Sequence, residues 1–200
     1  MKKILNVSVI ILALMLTTFC SKDKKNTIIE NPLKATIESE NIVDTFYAII
    51  GTGINYEFGN KFYASRDGRI TKLGCKMPQN GSYRVSLWNF ATTNLITATT
   101  ITTTDSTSFF YNNISPVSIT TGNRYVISIN NTDAGIAKRY YIYFKKPTIS
   151  DAIYPFTKGS ITFEDFQTTV SISPTYPSTI NPSYQTILAG VPDFQFEYDD

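Results

Sequence analysis

Short segments in which apolar and polar residues alternate follow one another from about residue 56 to the C-terminus, separated by Asn, Gly and Pro. SYRVSLWNF, RYVISINN and KRYYIYF show the pattern, and no long stretch outside the N-terminal apolar run has apolar residues at helical spacing. Alternation of this kind is typical of strands that bury one face. Asn80 and Gly81, before SYRVSLWNF, predict a hairpin turn. The chain is therefore predicted to be all-β, an antiparallel β-sandwich that is jelly-roll-like rather than immunoglobulin-like.

The segment GSYRVSLWN contains the single tryptophan of the chain. Alternation places Tyr83, Val85 and Leu87 on the core face, and Trp88 on the opposite face with Arg84. Trp88 then either packs at the end of its strand or offers its ring to a ligand, and alternation leaves both interpretations open.

The N-terminus has the pattern of a secretion signal. Lys2 and Lys3 precede a mostly apolar run over residues 4–16, which is short for a membrane-spanning helix. The LTTFC that follows resembles a bacterial lipobox ending at Cys20, although a phenylalanine stands where a small residue is usual. We expect a signal peptide over residues 1–19 and lipidation of Cys20. An ordinary signal peptide, with Cys20 incidental, is the alternative.

The rest of the chain is expected to form a polar tether over residues 20–45 and a β-sandwich domain over residues 46–200. Removing the signal peptide takes away two lysines and no acid, which leaves equal numbers of basic and acidic residues. A neutral domain without a basic patch is not expected to bind nucleic acid. We expect an exported protein of the bacterial cell envelope, held by its lipid at the outer membrane or cell surface.

The residue types that most catalytic sites require are missing. The chain has no histidine, and lipidation of Cys20 would leave Cys75 as the single remaining cysteine. Cys75 lies in a strand-like segment, so we expect a buried, inert thiol. Glu164 and Asp165 are adjacent and would point to opposite faces of a strand, so they do not pair for acid–base chemistry. We therefore expect no enzyme activity.

An ordered series of motifs spans residues 56–198: EFGNKFYASRDGRITKLGCKM, GSYRVSLWN, LITATTIT, SPVSITTGNRYVISI and PDFQFE. The series resembles a bacterial β-sandwich domain family of unknown function that occurs in secreted and surface proteins and is often appended to carbohydrate-active enzymes. The matching positions are Gly68, Ile70, Leu87, Trp88, Pro116, Val117, Tyr125, Val126, Asp193 and Phe196. The chain departs from the family after Ile129, so a ligand site in that loop is not carried over. The resemblance implies a sandwich fold, a non-catalytic accessory role and a structural position for Trp88.

The segment KRYYIYF predicts a candidate binding surface. One of its faces carries Arg139, Tyr141 and Tyr143, which could form an exposed strip of tyrosines. The opposite face, predicted to lie in the core, consists of Tyr140, Ile142 and Phe144. A sheet face covered by a loop, such as the AIYPF segment, is the alternative interpretation of the tyrosine strip.

Asn131 and Asp133, in NNTD just before this segment, could supply the amide and carboxylate groups that fix sugar hydroxyls. Aromatic rings pack on the apolar faces of ligands, which makes tyrosines suitable for sugars. The predicted ligand-binding set is therefore Arg139, Tyr141, Tyr143, Trp88, Asn131 and Asp133.

The predicted function is non-catalytic binding of an extracellular ligand, with a glycan as the first choice. The alternative is a structural or adhesion domain that binds a surface protein through an edge strand. SRDGR and NNTDAG could also hold structural calcium through Asp67 or Asp133, although both segments are typical of turns. No other cofactor is expected.

Overall fold

The computed structural model describes residues 26–38, 46–51, 53–145, 148, 150–180 and 182–200. The strands are β1 (Thr27–Glu30), β2 (Phe46–Gly51), β3 (Tyr56–Ala64), β4 (Gly68–Cys75), β5 (Gly81–Asn89), β6 (Leu95–Thr103), β7 (Phe110–Ile119), β8 (Tyr125–Asn130), β9 (Thr132–Asp133), β10 (Ile136–Ala137), β11 (Tyr140–Lys145), β12 (Phe156–Lys158), β13 (Ile161–Val170), β14 (Thr179–Ile180), β15 (Ile187–Ala189) and β16 (Pro192–Asp199). The helical elements are α1 (Pro32–Glu38) and a 3₁₀ helix (Pro182–Thr186).

Antiparallel sheets build the fold. The large sheet has the order β12-β13-β3-β8-β5-β6, with β14 beside β13, and the four-stranded sheet has the order β1-β16-β4-β7. A three-stranded sheet has the order β15-β11-β2, and β9 and β10 form a separate hairpin. The all-β sandwich predicted from the alternating segments is confirmed.

Aromatic rings join the large and four-stranded sheets. The ring centroids of Phe62 in β3 and Phe194 in β16 are 4.7 Å apart, and both side chains are completely buried. Tyr83, Val85 and Leu87 are buried in the same core, as alternation along β5 predicts. Each buried ring removes on the order of 150–250 Å² of surface from water, which makes this layer the main source of stability.

The chain changes sheet at most of its turns. Strand β3 belongs to the large sheet, β4 to the four-stranded sheet and β5 to the large sheet again. The hairpin predicted from Asn80 and Gly81 is therefore wrong, because the strands on either side of this turn pair with different neighbours. An Asn-Gly pair shows where a chain reverses, but packing decides which sheet the next strand joins.

The expectation that residues 20–45 form a tether is wrong for the part that the structure describes. Strand β1 pairs with β16 along its whole length, from Thr27 opposite Asp199 to Glu30 opposite Phe196. The sandwich therefore begins near residue 27 and not at residue 46.

Helix α1 is held to the sandwich by its apolar side and by its first turn. Leu33 and Ile37 are buried in the core cluster. The backbone N–H groups of Leu33 and Lys34 each donate to a carboxylate oxygen of Asp193, at 3.0 Å in both cases. This carboxylate satisfies amides that have no partner inside a helix, as an N-cap would. Sequence alternation does not show this docking, because the capping group lies about 160 residues away.

The predicted signal peptide over residues 1–19 and the predicted lipidation site Cys20 lie outside the described residues. Among the helices in the described ranges, none has the length and apolar character needed to cross a membrane.

Candidate functional site

The predicted tyrosine strip on β11 is largely covered. Tyr143 is only 7% exposed, and burial raises the pKa of its hydroxyl. The Tyr141 ring lies 5.8 Å from that of Tyr143, and its hydroxyl donates to the Ser106 carbonyl at 2.8 Å. The Lys76 ammonium lies 5.7 Å from the centre of the Tyr141 ring. The segment between β6 and β7 and the Lys76 side chain cover Tyr141, so this face is covered, as in the alternative interpretation, and is not an open platform.

Asn131 supports a turn and has its side-chain amide occupied by the protein. Its Nδ2 donates to the carbonyls of Ile54 at 3.0 Å and Lys138 at 2.8 Å, and its Oδ1 accepts from the Tyr56 N–H at 2.6 Å. The side chain is completely buried. A ligand could reach this amide only by breaking the turn.

Asp133, Arg139 and the calcium candidate Asp67 are surface groups with local roles. The Asp133 carboxylate lies 3.5 Å from the Lys138 ammonium, and Arg139 is exposed and bonds through its backbone N–H to Gln79. Asp67 accepts from the Thr121 N–H at 2.6 Å, a bond that lowers the pKa of its carboxyl. Across the described ranges, no three residues of the types His, Cys, Asp and Glu gather where a metal ion could bind.

Trp88 lies on the outer face of the large sheet, under a covering segment, and is 6% exposed. Its indole Nε1 donates to Ser128 Oγ at 2.8 Å, and the Tyr176 ring meets it edge-on with centroids 5.9 Å apart. Gly59 lets the cover approach, because a Cβ there would lie 2.5 Å from the Pro177 ring. Alternation predicted the face of Trp88 correctly, but the ring is not available as a ligand platform.

A buried ion pair lies on the same outer face. The Glu57 carboxylate accepts from Arg84 at 2.7 Å, from Ser128 Oγ at 2.5 Å and from Asn130 Nδ2 at 3.1 Å. Burial raises the pKa of Glu57, while these hydrogen bonds and the Arg84 charge oppose the rise. Every carboxylate oxygen has a protein partner and none is exposed, so we assign the group a structural role.

The second cysteine has the environment that its strand position predicts. Cys75 is a buried, free thiol, and burial raises its pKa far above the usual range. A thiol that stays protonated is a poor nucleophile and a poor metal ligand.

A polar depression of about 350 Å³ lies on the four-stranded sheet and includes Asp67, Arg69 and Glu197. Its charges already have partners, because Arg69 pairs with Glu197 at 3.1 Å and Thr71 Oγ1 donates to the same carboxylate at 2.8 Å. Charged groups that are already paired in this way would bind a charged ligand only weakly.

A concave site with mostly aromatic and aliphatic walls lies between the large sheet and the three-stranded sheet, and we call it the aromatic cleft. Its volume is about 150 Å³. Its lining residues come from β3, β11, β13, the 3₁₀ helix and β15, and are Tyr56, Phe58, Tyr140, Ile142, Phe166, Thr168, Tyr184, Ile187 and Ala189.

Rings make the walls of the aromatic cleft. Tyr140 lies 4.5 Å from Phe58 and 6.0 Å from Tyr56 between ring centroids, and Phe166 meets Tyr184 edge-on at 5.9 Å. Tyr56 and Tyr184 are half-buried, so part of each ring is open to solvent. The cleft can therefore offer aromatic surface to a small ligand.

Sequence reasoning missed the aromatic cleft because it assigned Tyr140 and Ile142 entirely to the core. Both residues are on the face predicted to be buried, and both line the cleft. The available signal was a cluster of aromatic residues at alternate positions, Tyr56 with Phe58 in β3, beside the polar Thr168 in a core-facing position of β13. Only the fold brings these strands and the 3₁₀ helix together.

A protein-family model matches residues 48–182 of the chain. The match contains the parts of the aromatic cleft that come from β3, β11 and β13 and ends within the 3₁₀ helix, before β15. No curated protein matches the chain.

Proposed function

The chain belongs to that family, described as Domain of unknown function (DUF4082), and from this premise and the aromatic cleft we propose a non-catalytic module that binds carbohydrate. The ligand site is the aromatic cleft and not the tyrosine strip of Tyr141 and Tyr143.

The observation that carries the proposal is the character of the cleft wall. Tyr56, Tyr140 and Tyr184 supply rings whose faces suit the C–H surfaces of a sugar, with Thr168 as a polar group among them. The lining includes no charged side chain, which favours a neutral ligand.

Three features support a binding role rather than catalysis. The chain contains no histidine, Cys75 is buried with a raised pKa, and the Glu57 carboxylate is sealed by its partners. General acid–base or nucleophilic chemistry would need such groups to face a ligand.

The test is binding of the protein, purified in mild detergent, to an array of neutral and charged glycans. Tyr184→Ala removes one half-exposed wall of the cleft and should weaken binding about fivefold, because one stacked ring contributes about 1 kcal/mol. Tyr63→Ala is the matched control, since Tyr63 is also half-buried but lies on the outer face of the large sheet beside Arg124. Binding lost equally in both variants, or no binding to any glycan, would refute the proposal.

A protein partner is the second candidate, and one surface favours it. Val170, Ile172 and Ile180 are exposed by 67%, 65% and 49%, at the end of β13, just beyond it and in β14. Exposed aliphatic side chains beside an edge strand suit protein contacts. An absence of glycan binding, with weaker capture of an envelope protein by Ile180→Ser, would support this candidate.

We also propose that the protein is exported and anchored in the cell envelope through a lipid on Cys20. The support is the N-terminal pattern of Lys2, Lys3, an apolar run and a cysteine before a charged segment. Labelling of cells with an alkyne fatty acid should mark the wild type and Cys75→Ser, and should fail with Cys20→Ser. Equal labelling of Cys20→Ser would contradict the anchor.

A further inference from the structure

We infer that the aromatic cleft takes one terminal sugar residue of a neutral glycan, preferably a deoxy sugar, and that the Thr168 hydroxyl recognises one hydroxyl of that residue. The inference rests on the proposed carbohydrate function and adds the ligand class and a specificity-determining residue.

The size of the cleft limits the ligand to a single ring. A volume of about 150 Å³ corresponds to on the order of five water molecules at roughly 30 Å³ each. That space accommodates one pyranose ring in part, whereas an extended oligosaccharide needs a long groove. The glycan therefore enters by an end, and its remaining residues stay in solvent.

The walls determine the charge of the ligand. All nine lining residues are uncharged. A uronic acid, a sialic acid or a phosphorylated sugar would lose hydration on entry and find no ion of opposite charge. Neutral sugars carry no such penalty.

Thr168 is the polar group that lacks a partner. The residue is 8% exposed, and its Oγ1 is buried without a hydrogen bond to any described residue. The other two side-chain atoms in this state within the described ranges belong to Asn60 and Gln167, which do not line the cleft. A buried hydroxyl without a partner is unfavourable, and a ligand hydroxyl could both donate to it and accept from it.

Among the lining side chains, Thr168 carries the one buried hydroxyl that lacks a protein partner, which favours a sugar with few buried hydroxyls. Ile142, Ile187 and Ala189 supply aliphatic surface around the rings. A methyl group in place of a hydroxymethyl group can pack on such surface, whereas each extra buried hydroxyl would be left without a partner. The geometry therefore favours a 6-deoxyhexose over the parent hexose.

The test is calorimetric titration of the protein with two matched pairs of methyl glycosides, L-fucose against L-galactose and L-rhamnose against L-mannose. We expect the deoxy sugar of at least one pair to bind about tenfold more tightly than its parent, as expected for one unpaired buried hydroxyl. Equal binding within both pairs, or tighter binding of the parents, would overturn the preference for deoxy sugars.

Variants of Thr168 test the specificity residue. Thr168→Val keeps the shape and removes the hydroxyl, so binding of the deoxy sugar should fall about tenfold while the Tm stays level or rises. Thr168→Ser keeps the hydroxyl and should retain most of the binding. Unchanged affinity in Thr168→Val would overturn the role of this hydroxyl.

The inference and the proposed function fail in different ways. Glycan binding that depends on Tyr184 but shows no deoxy preference and no effect at Thr168 would leave the function standing and refute only the ligand class. Binding to no glycan of the array or titration would refute both.

Discussion

At the scale of single residues, Gly51 controls the shape of the aromatic cleft. Gly51 in β2 pairs with Tyr140 in β11, and a Cβ on Gly51 would lie 2.5 Å from the outer atoms of the Tyr140 ring. No real Cβ comes so close to a ring carbon, so any side chain here must move that ring.

We predict that Gly51→Ala displaces the Tyr140 ring and weakens glycan binding about tenfold, since one wall of the cleft is lost. The free energy of unfolding should change by only about 1 kcal/mol, because the moving atoms are the end of a side chain and not the backbone. Calorimetry and urea unfolding measure the two effects. Tyr140→Phe, which keeps the ring in place, should bind normally; normal binding by Gly51→Ala would show that the ligand does not touch this wall.

At the scale of elements, the segment β1–α1 is an integral part of the sandwich. Leu33 is completely buried, so Leu33→Ala should lower the free energy of unfolding by about 2–4 kcal/mol through lost burial and a cavity. Lys34→Ala is the control, because the Lys34 side chain is 41% exposed and pairs only with Glu38 of its own helix among the described residues. The control should change stability by less than about 0.5 kcal/mol. Urea unfolding of both variants measures these changes. If Leu33→Ala left the free energy of unfolding unchanged, the tether interpretation would be restored.

The cover over Trp88 is a second element with a measurable role. Tyr176 meets the indole edge-on, and Pro177 lies against Gly59. Tyr176→Ala should open a path for water, shift the Trp88 emission to longer wavelength and increase its quenching by acrylamide. Tyr184→Ala, on the opposite side of the large sheet, should leave the emission unchanged. Because the chain has one tryptophan, a spectrum unchanged by Tyr176→Ala would show that other residues shield the ring.

Alternation along a strand predicts which face of the sheet each side chain points to, but it does not predict whether another segment covers that face. It placed Leu87 in the core and Trp88 on the other side of β5, and both placements hold. It could not show that separate segments cover Trp88 and Tyr141, because each cover is recruited from a distant part of the chain. The sandwich class was therefore predictable from local pattern, whereas the exposure of each face and the location of the cleft depend on packing.

At the scale of the whole molecule, Asp193 links three parts of the fold. It belongs to β16, accepts from two amides of α1 and accepts from the Tyr111 hydroxyl at 2.6 Å. Burial raises the pKa of the Asp193 carboxyl to about 6 from 3.8, against the opposing effect of these hydrogen bonds. The native state therefore holds a proton on this group in a range where the unfolded chain has released it.

Because its carboxyl pKa is raised in the native state, the contribution of Asp193 to the free energy of unfolding falls as pH rises. Between about pH 4 and pH 6 the native state binds more protons at Asp193 than the unfolded state does. The free energy of unfolding should therefore fall by about 3 kcal/mol from this group as pH rises across the range, and the contribution should stay constant above it. Urea unfolding at a series of pH values measures the slope. Asp193→Asn cannot titrate and should show a flatter profile from pH 4 to pH 6, with lower stability throughout from lost hydrogen bonds. Identical slopes in the two proteins would contradict the assignment.

The position at which β1 begins limits the distance between Cys20 and the folded domain. Strand β1 begins at Thr27, seven residues after Cys20. If Cys20 carries the predicted lipid, the extended link is at most about 25 Å, at roughly 3.3–3.6 Å per residue. The domain would then stay within a thin layer at the bilayer surface. Many copies confined to that layer could hold a dense glycan coat by avidity, so each site would need only weak affinity.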